Sequence, residues 1–186
     1  MAQAAPNTVI LAADEASLYL QVTLMRVWSA VGQTPVVQCD PGRSMTHFYG
    51  ALNLASGQET VMRTQVMNAA VSALFLQKLL TAYPTQPILL LWDRAKWHQG
   101  QAVNDLLTAH PRLEILCLRV PFGRASPELN PQEHVWKATR EAVSHNHTHA
   151  KLDTLAIQFE NHLTNTIFPC SLLHQHGYPL LCAIFN

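Results

Sequence analysis

Three carboxylates in this 186-residue chain sit where an acid can do more than face solvent. Asp14 follows the apolar run TVILAA (8–13), and Asp93 follows PILLLW (87–92). Short apolar runs of this kind read as buried strands. In α/β sheets, functional side chains collect beyond the carboxyl ends of parallel strands. If the two runs are parallel neighbours, the aspartates meet at one edge. Two ionised carboxylates at close range repel, which raises the pKa of at least one unless a cation lies between them. An oxygen-rich site of that type suits Mg²⁺ or Mn²⁺. The third acid, Glu133, lies in SPELNPQEHVWK (126–137). Asn130 can cap a helix there, and Pro131 takes the first helical position, where its missing N–H costs nothing. Glu133 then falls at N3, the position of the acid in a capping box. The positive end of the helix dipole also favours an ionised Glu at that point. Capping and metal ligation are compatible, and both stay open on this stretch alone.

The elements that must position these acids follow from the hydrophobic pattern. TVILAA, SLYLQVT (17–23) and TPVVQ (34–38) read as strands, while MTHFYGALNL (45–54) and QETVMRT (58–64) flank a hairpin turn at Ser56-Gly57. Asn68 is placed to cap a helix that stops before Pro84. PILLLW is a continuous apolar run, as a central strand covered on both faces requires. A helix over Gln101–Ala109, a strand at LEILCL (113–118), and helices over 131–144 and about 149–165 complete the order. The last helix carries Leu152, Leu155, Ala156, Phe159 and Leu163 at helical spacing. The expected fold is α/β: a mixed sheet with antiparallel N-terminal strands, then βα crossovers, flanked by helices. One domain is expected, with its core over about 8–145 and a C-terminal helix and tail over 146–186.

Composition narrows the functional classes. Apolar residues make up 48% of the chain and charged ones 13%, which excludes a disordered polypeptide. The N-terminus lacks a basic stretch followed by an apolar run, and no apolar segment reaches the ~18 residues of a membrane span. No membrane association is expected. Cys39, Cys117, Cys170 and Cys182 are scattered without a CxxC pair, so reduced thiols and a cytoplasmic location are expected. Twelve basic residues balance twelve acidic ones. A self-sufficient DNA-binding domain carries an excess of Lys and Arg, so if nucleic acid is the substrate, most of the affinity comes from elsewhere. The histidines at 145, 147 and 149, and the group Cys170, His174, His176 and Cys182, lack the paired spacing of a structural zinc site.

Asp14 within ILAADEASLYL, Trp28 and Gly32 within RVWSAVGQTP, Asp93 within LLLWDRAKWH, and SPELNPQEHVWK together resemble the catalytic domain of DDE transposases. The closest likeness is to the bacterial insertion-sequence branch of the mariner-like superfamily, over residues 8 to about 145. The resemblance implies a ribonuclease-H-like fold in which Asp14, Asp93 and Glu133 are the catalytic acids and hold two divalent metals. It implies metal-dependent DNA strand cleavage and strand transfer at transposon ends, with transposon-end and target DNA as partners, in a protein active as a homodimer. A nuclease of the same fold without strand transfer, or a non-catalytic module regulating a full-length transposase, are the alternatives. The family places helix-turn-helix modules before its first catalytic strand. Here that strand begins within about eight residues, so the expectation is a catalytic fragment, the second reading frame of a split element or a shortened descendant, with a separate helix-turn-helix DNA-recognition polypeptide among the candidate partners.

Two departures accompany the likeness. Arg94 replaces the Asn common after the second aspartate; it could pair with Asp93 or contact a phosphate bidentately. RVPFGRAS (119–126) lengthens the approach to the last motif, leaving 39 residues between Asp93 and Glu133. His98 matches the family's histidine, with a role near the scissile phosphate or in orienting Asp93. Arg94, Lys96, His98, Arg124, Lys137 and Arg140 are the candidate DNA contacts, each also compatible with a solvated or packed side chain. Glu15 is expected to support the site or face solvent and Trp92 and Trp136 to pack, while Trp97 is a candidate for exposure near DNA.

Overall fold

The computed structural model describes residues 7–34, 36, 43–93, 95–117 and 130–168. Its first strand, β1 (Val9–Tyr19), is longer than the apolar run that announces it. TVILAA and the start of SLYLQVT form one strand, so Asp14 lies in mid-strand. The reason is a change of neighbour. The first four residues pair in parallel with β4 (Ile88–Trp92), from Val9↔Ile88 to Ala12↔Leu91. On its other side β1 stays paired with β2 (Met45–Asn53) from Leu11↔Asn53 to Tyr19↔Met45. The antiparallel ladder therefore carries the strand onward after its parallel partner has ended.

β2 turns at residues 54–58 into β3 (Glu59–Thr64), as the hairpin pattern predicts. Gly57 holds φ +72°, and a Cβ there would lie 2.2 Å from the carbonyl oxygen of Phe168. The sheet order is β3-β2-β1-β4-β5, with β5 (Leu113–Cys117) parallel to β4 at the edge. The expected mixed sheet is present: three antiparallel strands followed by two reached through helical crossovers. Thr34 and Val36 lie outside any strand, so TPVVQ is not one where it is described; Pro35, Val37 and Gln38 fall outside the described residues. Trp28 and Gly32 lie in an exposed stretch without regular structure. That stretch is tied down at Met25, whose backbone N–H and carbonyl bond the side chain of Asn146.

The strand period of two splits the core into two layers. Ala12, Ala16, Phe48, Leu52, Leu89 and Leu91 face helices α3 (Pro131–Thr139) and α4 (Leu152–Asn165), packing on Val135, Trp136, Leu155, Phe159 and Leu163. Leu11, Ala13, Tyr49, Leu90 and Trp92 face α1 (Ala69–Ala82) and α2 (Gln101–Ala109), meeting Phe75, Leu76, Leu79 and Val103. β4 is covered on both sides, and each of its residues is buried. Asn68 caps α1 by accepting from the Val71 N–H at 2.9 Å. At the other end, the Arg112 guanidinium donates to the carbonyls of Leu80, Tyr83 and Gln86. That satisfies terminal helix acceptors with a charge the dipole favours. The helix read over 131–144 ends as α at Thr139 and continues as a π-helical turn, Arg140–Ser144. The last helix begins at Leu152, three residues later than its pattern suggests. Among the described residues no helix is long and apolar enough to cross a membrane, and Cys117 is a free thiol.

Candidate active site

Two residues beyond the last parallel pair, Ala12↔Leu91, lie Asp14 on β1 and Asp93 just past β4. Strand parity assigns both to the layer shared with α3, because Ala12 and Leu91 belong to it. Asn130 caps α3, accepting from the Gln132 N–H at 3.1 Å, with Pro131 in the first turn. The Asn130 amide also makes a long 3.5 Å contact to the carbonyl of Ala13, the residue before Asp14. The cap thus ties the start of α3, and with it Glu133, to the strand that carries Asp14.

The charges of these acids act on one another. Asp14 is pushed up to about 7, from 3.8, first by burial, then by the negative charge of Glu133, with Glu15 and Asp93 adding to it. Trp136 Nε1 donates to Asp14 Oδ2 at 3.3 Å. The indole can lie over the sheet because β2 has no side chain at Gly50, the partner of Asp14 in the ladder. A Cβ at Gly50 would come within 2.6 Å of the Trp136 ring.

Asp93 is held from another side. His98 Nδ1 lies 2.9 Å from Asp93 Oδ1 and 3.0 Å from its backbone carbonyl, and Ala95 N–H donates to the same carboxylate oxygen at 2.9 Å. The bond from His98 and that from Ala95 hold the Asp93 carboxyl below its usual range despite partial burial. His98 Nε2 meets Glu15 Oε1 at 2.9 Å. Both ring nitrogens face carboxylates, so both donate and the ring is the imidazolium. Burial opposes that charge, but the bonds to Asp93 and Glu15 outweigh it and carry the pKa from 6.5 to about 9.

Glu15 points to the opposite face of the sheet from Asp14, into the α1–α2 layer. Only 6% of its side chain is exposed. It accepts from Trp92 Nε1 and Trp97 Nε1, each at 3.1 Å, as well as from His98. The His98 ring stacks on Trp92, their centroids 3.7 Å apart. Three donors thus surround a buried carboxylate, as a buried charge demands. Trp97, the candidate for exposure near DNA, is half-buried, and its indole N–H supplies the donor for the second Glu15 oxygen. Sequence reasoning set Glu15 aside as an accessory; its signal was an acid in an apolar strand, with two indoles and an imidazole clustered around Asp93.

Lys96 and Lys137 are exposed, Arg140 is half-buried, and Arg94 and Arg124 fall outside the described residues. Trp92 and Trp136 are buried as expected. Among the described residues, no group of three or more His, Cys, Asp or Glu side chains is arranged to hold a metal ion. Asp93 is engaged by His98, and Asp14 by Trp136. Carboxylate oxygens are nevertheless the donor type that a hard divalent cation takes. Asp14 is partly buried in the field of three other acids, two of which, Glu15 and Asp93, share the His98 ring.

Residues 9–156 match the family described as DDE superfamily endonuclease. The chain belongs to that family. This DDE endonuclease domain is 23% identical over 158 residues to the insertion element IS630 uncharacterized 39 kDa protein of Shigella sonnei, covering 84% of this chain and 44% of that protein. Among solved structures it is similar to the Mos1 transposase paired-end complex with left transposon end. The TM-score there is 0.65 at 16% identity, over 94% of this chain and 54% of the other. It is also similar to the catalytic domain of Mos1 mariner transposase, with a TM-score of 0.59 at 14% identity, over 91% and 77%. The likeness establishes the ribonuclease-H-like fold for the DDE domain. The chain spans about half the length of the full relatives it matches. A Mos1 paired-end complex is known with Mn and another with Mg.

Proposed function

We propose that this chain is the catalytic domain of a transposase, cutting DNA at transposon ends and joining the freed 3′ ends to target DNA, with Asp14, Asp93 and Glu133 as its catalytic acids. The observation that carries the reading is geometric: within a DDE endonuclease domain, Asp14 and Asp93 lie at matching positions beyond the β1–β4 pairing, and Asn130 ties the start of α3, which carries Glu133, to the carbonyl of Ala13. Those three residues would hold two Mg²⁺ or Mn²⁺ ions. When bound, such ions polarise the scissile phosphate and activate the attacking oxygen.

The chain's own residues supply position and charge. Asp14 is set by its ladder and by the Trp136 indole. Asp93 is fixed by His98 and the Ala95 N–H, and His98 in turn by Glu15. Glu133 is placed by the first turn of α3. No covalent protein intermediate is required for phosphoryl transfer of this kind. With twelve basic and twelve acidic residues, the domain supplies little of the non-specific attraction that phosphate binding requires. A helix-turn-helix polypeptide or segment would deliver it to transposon ends, and two copies would act on paired ends. Exposed Lys96 and Lys137, with Arg140, Arg94 and Arg124, are the candidate phosphate contacts.

The test is cleavage and strand transfer on pre-nicked transposon-end DNA with Mg²⁺ or Mn²⁺. Both reactions should occur and both should vanish in Asp93→Asn. Cutting without joining would favour a plain nuclease. A folded chain that does neither, but binds a full-length transposase, would favour a regulatory module.

A further inference from the structure

Glu59 opens β3 in a place that is hostile to a carboxylate. It is enclosed on the α3 side of the sheet, and among the described residues its Oε2 has no hydrogen-bond partner. Gln132 faces it from α3, fully buried, with its Oε1 equally unpartnered. The bond between them runs from Gln132 Nε2 to Glu59 Oε1, at 2.7 Å. Toward the Gln132 amide a carboxylate can only accept, so it makes that one bond and leaves the amide oxygen unmet. A carboxylic acid can also donate, from its O–H to the amide oxygen. One proton on Glu59 would therefore satisfy both orphan oxygens, which buried polar groups in native proteins seldom leave unpaired.

We propose that Glu59 is carried as the neutral acid, closed in a two-bond ring with Gln132, and that this ring is a positioning device for Glu133, the next residue of α3. Burial pushes the Glu59 carboxyl well above its usual range, against the bonds from Gln132 and the Ala51 backbone. The ring sits over Gly50, where a Cβ would come within 2.4 Å of Glu59 Oε1 and 2.5 Å of Gln132 Nε2. The sheet therefore leaves a slot at Gly50, which α3 enters with the Gln132 amide and the Trp136 indole, the amide meeting Glu59 of β3 there. The first turn of α3, which carries Glu133, is fixed in height and rotation by that fit. The positioning role rests on the catalytic reading of Glu133; the protonation of Glu59 does not.

Two measurements on the full chain separate these parts. Isotope-edited infrared spectroscopy at neutral pH should show a protonated carboxylic C=O band that disappears in Glu59→Gln. That variant keeps both bonds as an amide pair and should melt at or above the parent temperature. Mn²⁺ affinity, read by electron paramagnetic resonance, should be unchanged in Glu59→Gln and weaker by about 10-fold in Gln132→Leu. The double variant Glu59→Leu/Gln132→Leu should regain stability, because both polar partners are gone, but not Mn²⁺ affinity. A missing acid band in the parent protein overturns the neutral ring. Unchanged Mn²⁺ affinity in Gln132→Leu overturns the positioning role. A parent protein with the band but no Mn²⁺ binding removes the catalytic reading and that role together, and leaves the ring standing.

Discussion

His98 stands between two carboxylates, its Nε2 2.9 Å from Glu15 and its Nδ1 2.9 Å from Asp93. One of these acids is buried, with 6% of its side chain exposed, and the other reaches solvent, with 56% exposed. The imidazolium therefore compensates a charge inside the protein while orienting one at its surface.

Removing that cation should be costly for the fold. His98→Ala leaves the Glu15 charge with only two indole donors, and breaking a buried pair from one side costs about 3–5 kcal/mol. Urea denaturation should show a loss of that order. Adding Glu15→Gln should recover part of it, since the amide is neutral and its oxygen still accepts from an indole. If the double variant is no more stable than His98→Ala, the pair is not what holds this corner together.

Asp14 should be a residue whose loss stabilises the protein while abolishing its chemistry. Its pKa is raised from 3.8 to about 7 in the folded state. A group raised on folding contributes stability that is present below the unfolded value and lost as pH rises through the folded one. Asp14→Asn should therefore match the parent near pH 4 and exceed it at pH 8, at about 1.4 kcal/mol per pKa unit as an upper bound. Denaturation across that range checks the sign; a variant less stable at pH 8 contradicts it.

The same rule gives His98 a separate window. Its folded pKa of about 9 lies above 6.5, so its contribution is complete below pH 6.5 and is lost toward pH 9. Parent stability should fall through that interval, and His98→Gln should flatten the fall. A slope that persists unchanged in His98→Gln would assign it elsewhere.

The proposed role of Asp14 as a ligand predicts that divalent ions compete with its proton. Saturating Mn²⁺ should raise the melting temperature at pH 8 and do so much less at pH 6, because ligation requires the deprotonated acid. Asp14→Asn should abolish the difference. Equal stabilisation at both pH values in the parent would place the ion away from Asp14.

Gly50→Ala tests the fit of α3 on the sheet. Its Cβ would meet the Trp136 ring, Glu59 and Gln132 at 2.4–2.6 Å. Overpacking of this kind costs about 1–3 kcal/mol. Because the ring also carries the Nε1 donor to Asp14, DNA cleavage should drop by more than the lost stability explains. A fully active Gly50→Ala protein would show that the indole contact does not matter.

What the sequence determined by itself were the features whose causes are local. Asn68 and Asn130 cap their helices because a side-chain oxygen reaches an N–H two or three residues on. ILLLW is buried because five apolar residues in a row tolerate no wet face, and the 45–64 hairpin turns at a glycine with positive φ. The positions of Asp14 and Asp93 beyond neighbouring parallel strands, and of Glu133 in the first turn of a helix, were legible for the same reason, each marked by the end of a run or the start of a helix. The tertiary structure decided whatever depended on a neighbour distant in sequence. β1 runs past Asp14 because β2 continues beside it after β4 has stopped. Glu15, next to Asp14, belongs to the opposite layer and is held by Trp92, Trp97 and His98, 77 to 83 residues away. Gln132 meets Glu59 across 73 residues, over a glycine that looks unremarkable in the strand. A strand's period of two tells which residues share a face, but only the packed layers tell what each face must satisfy.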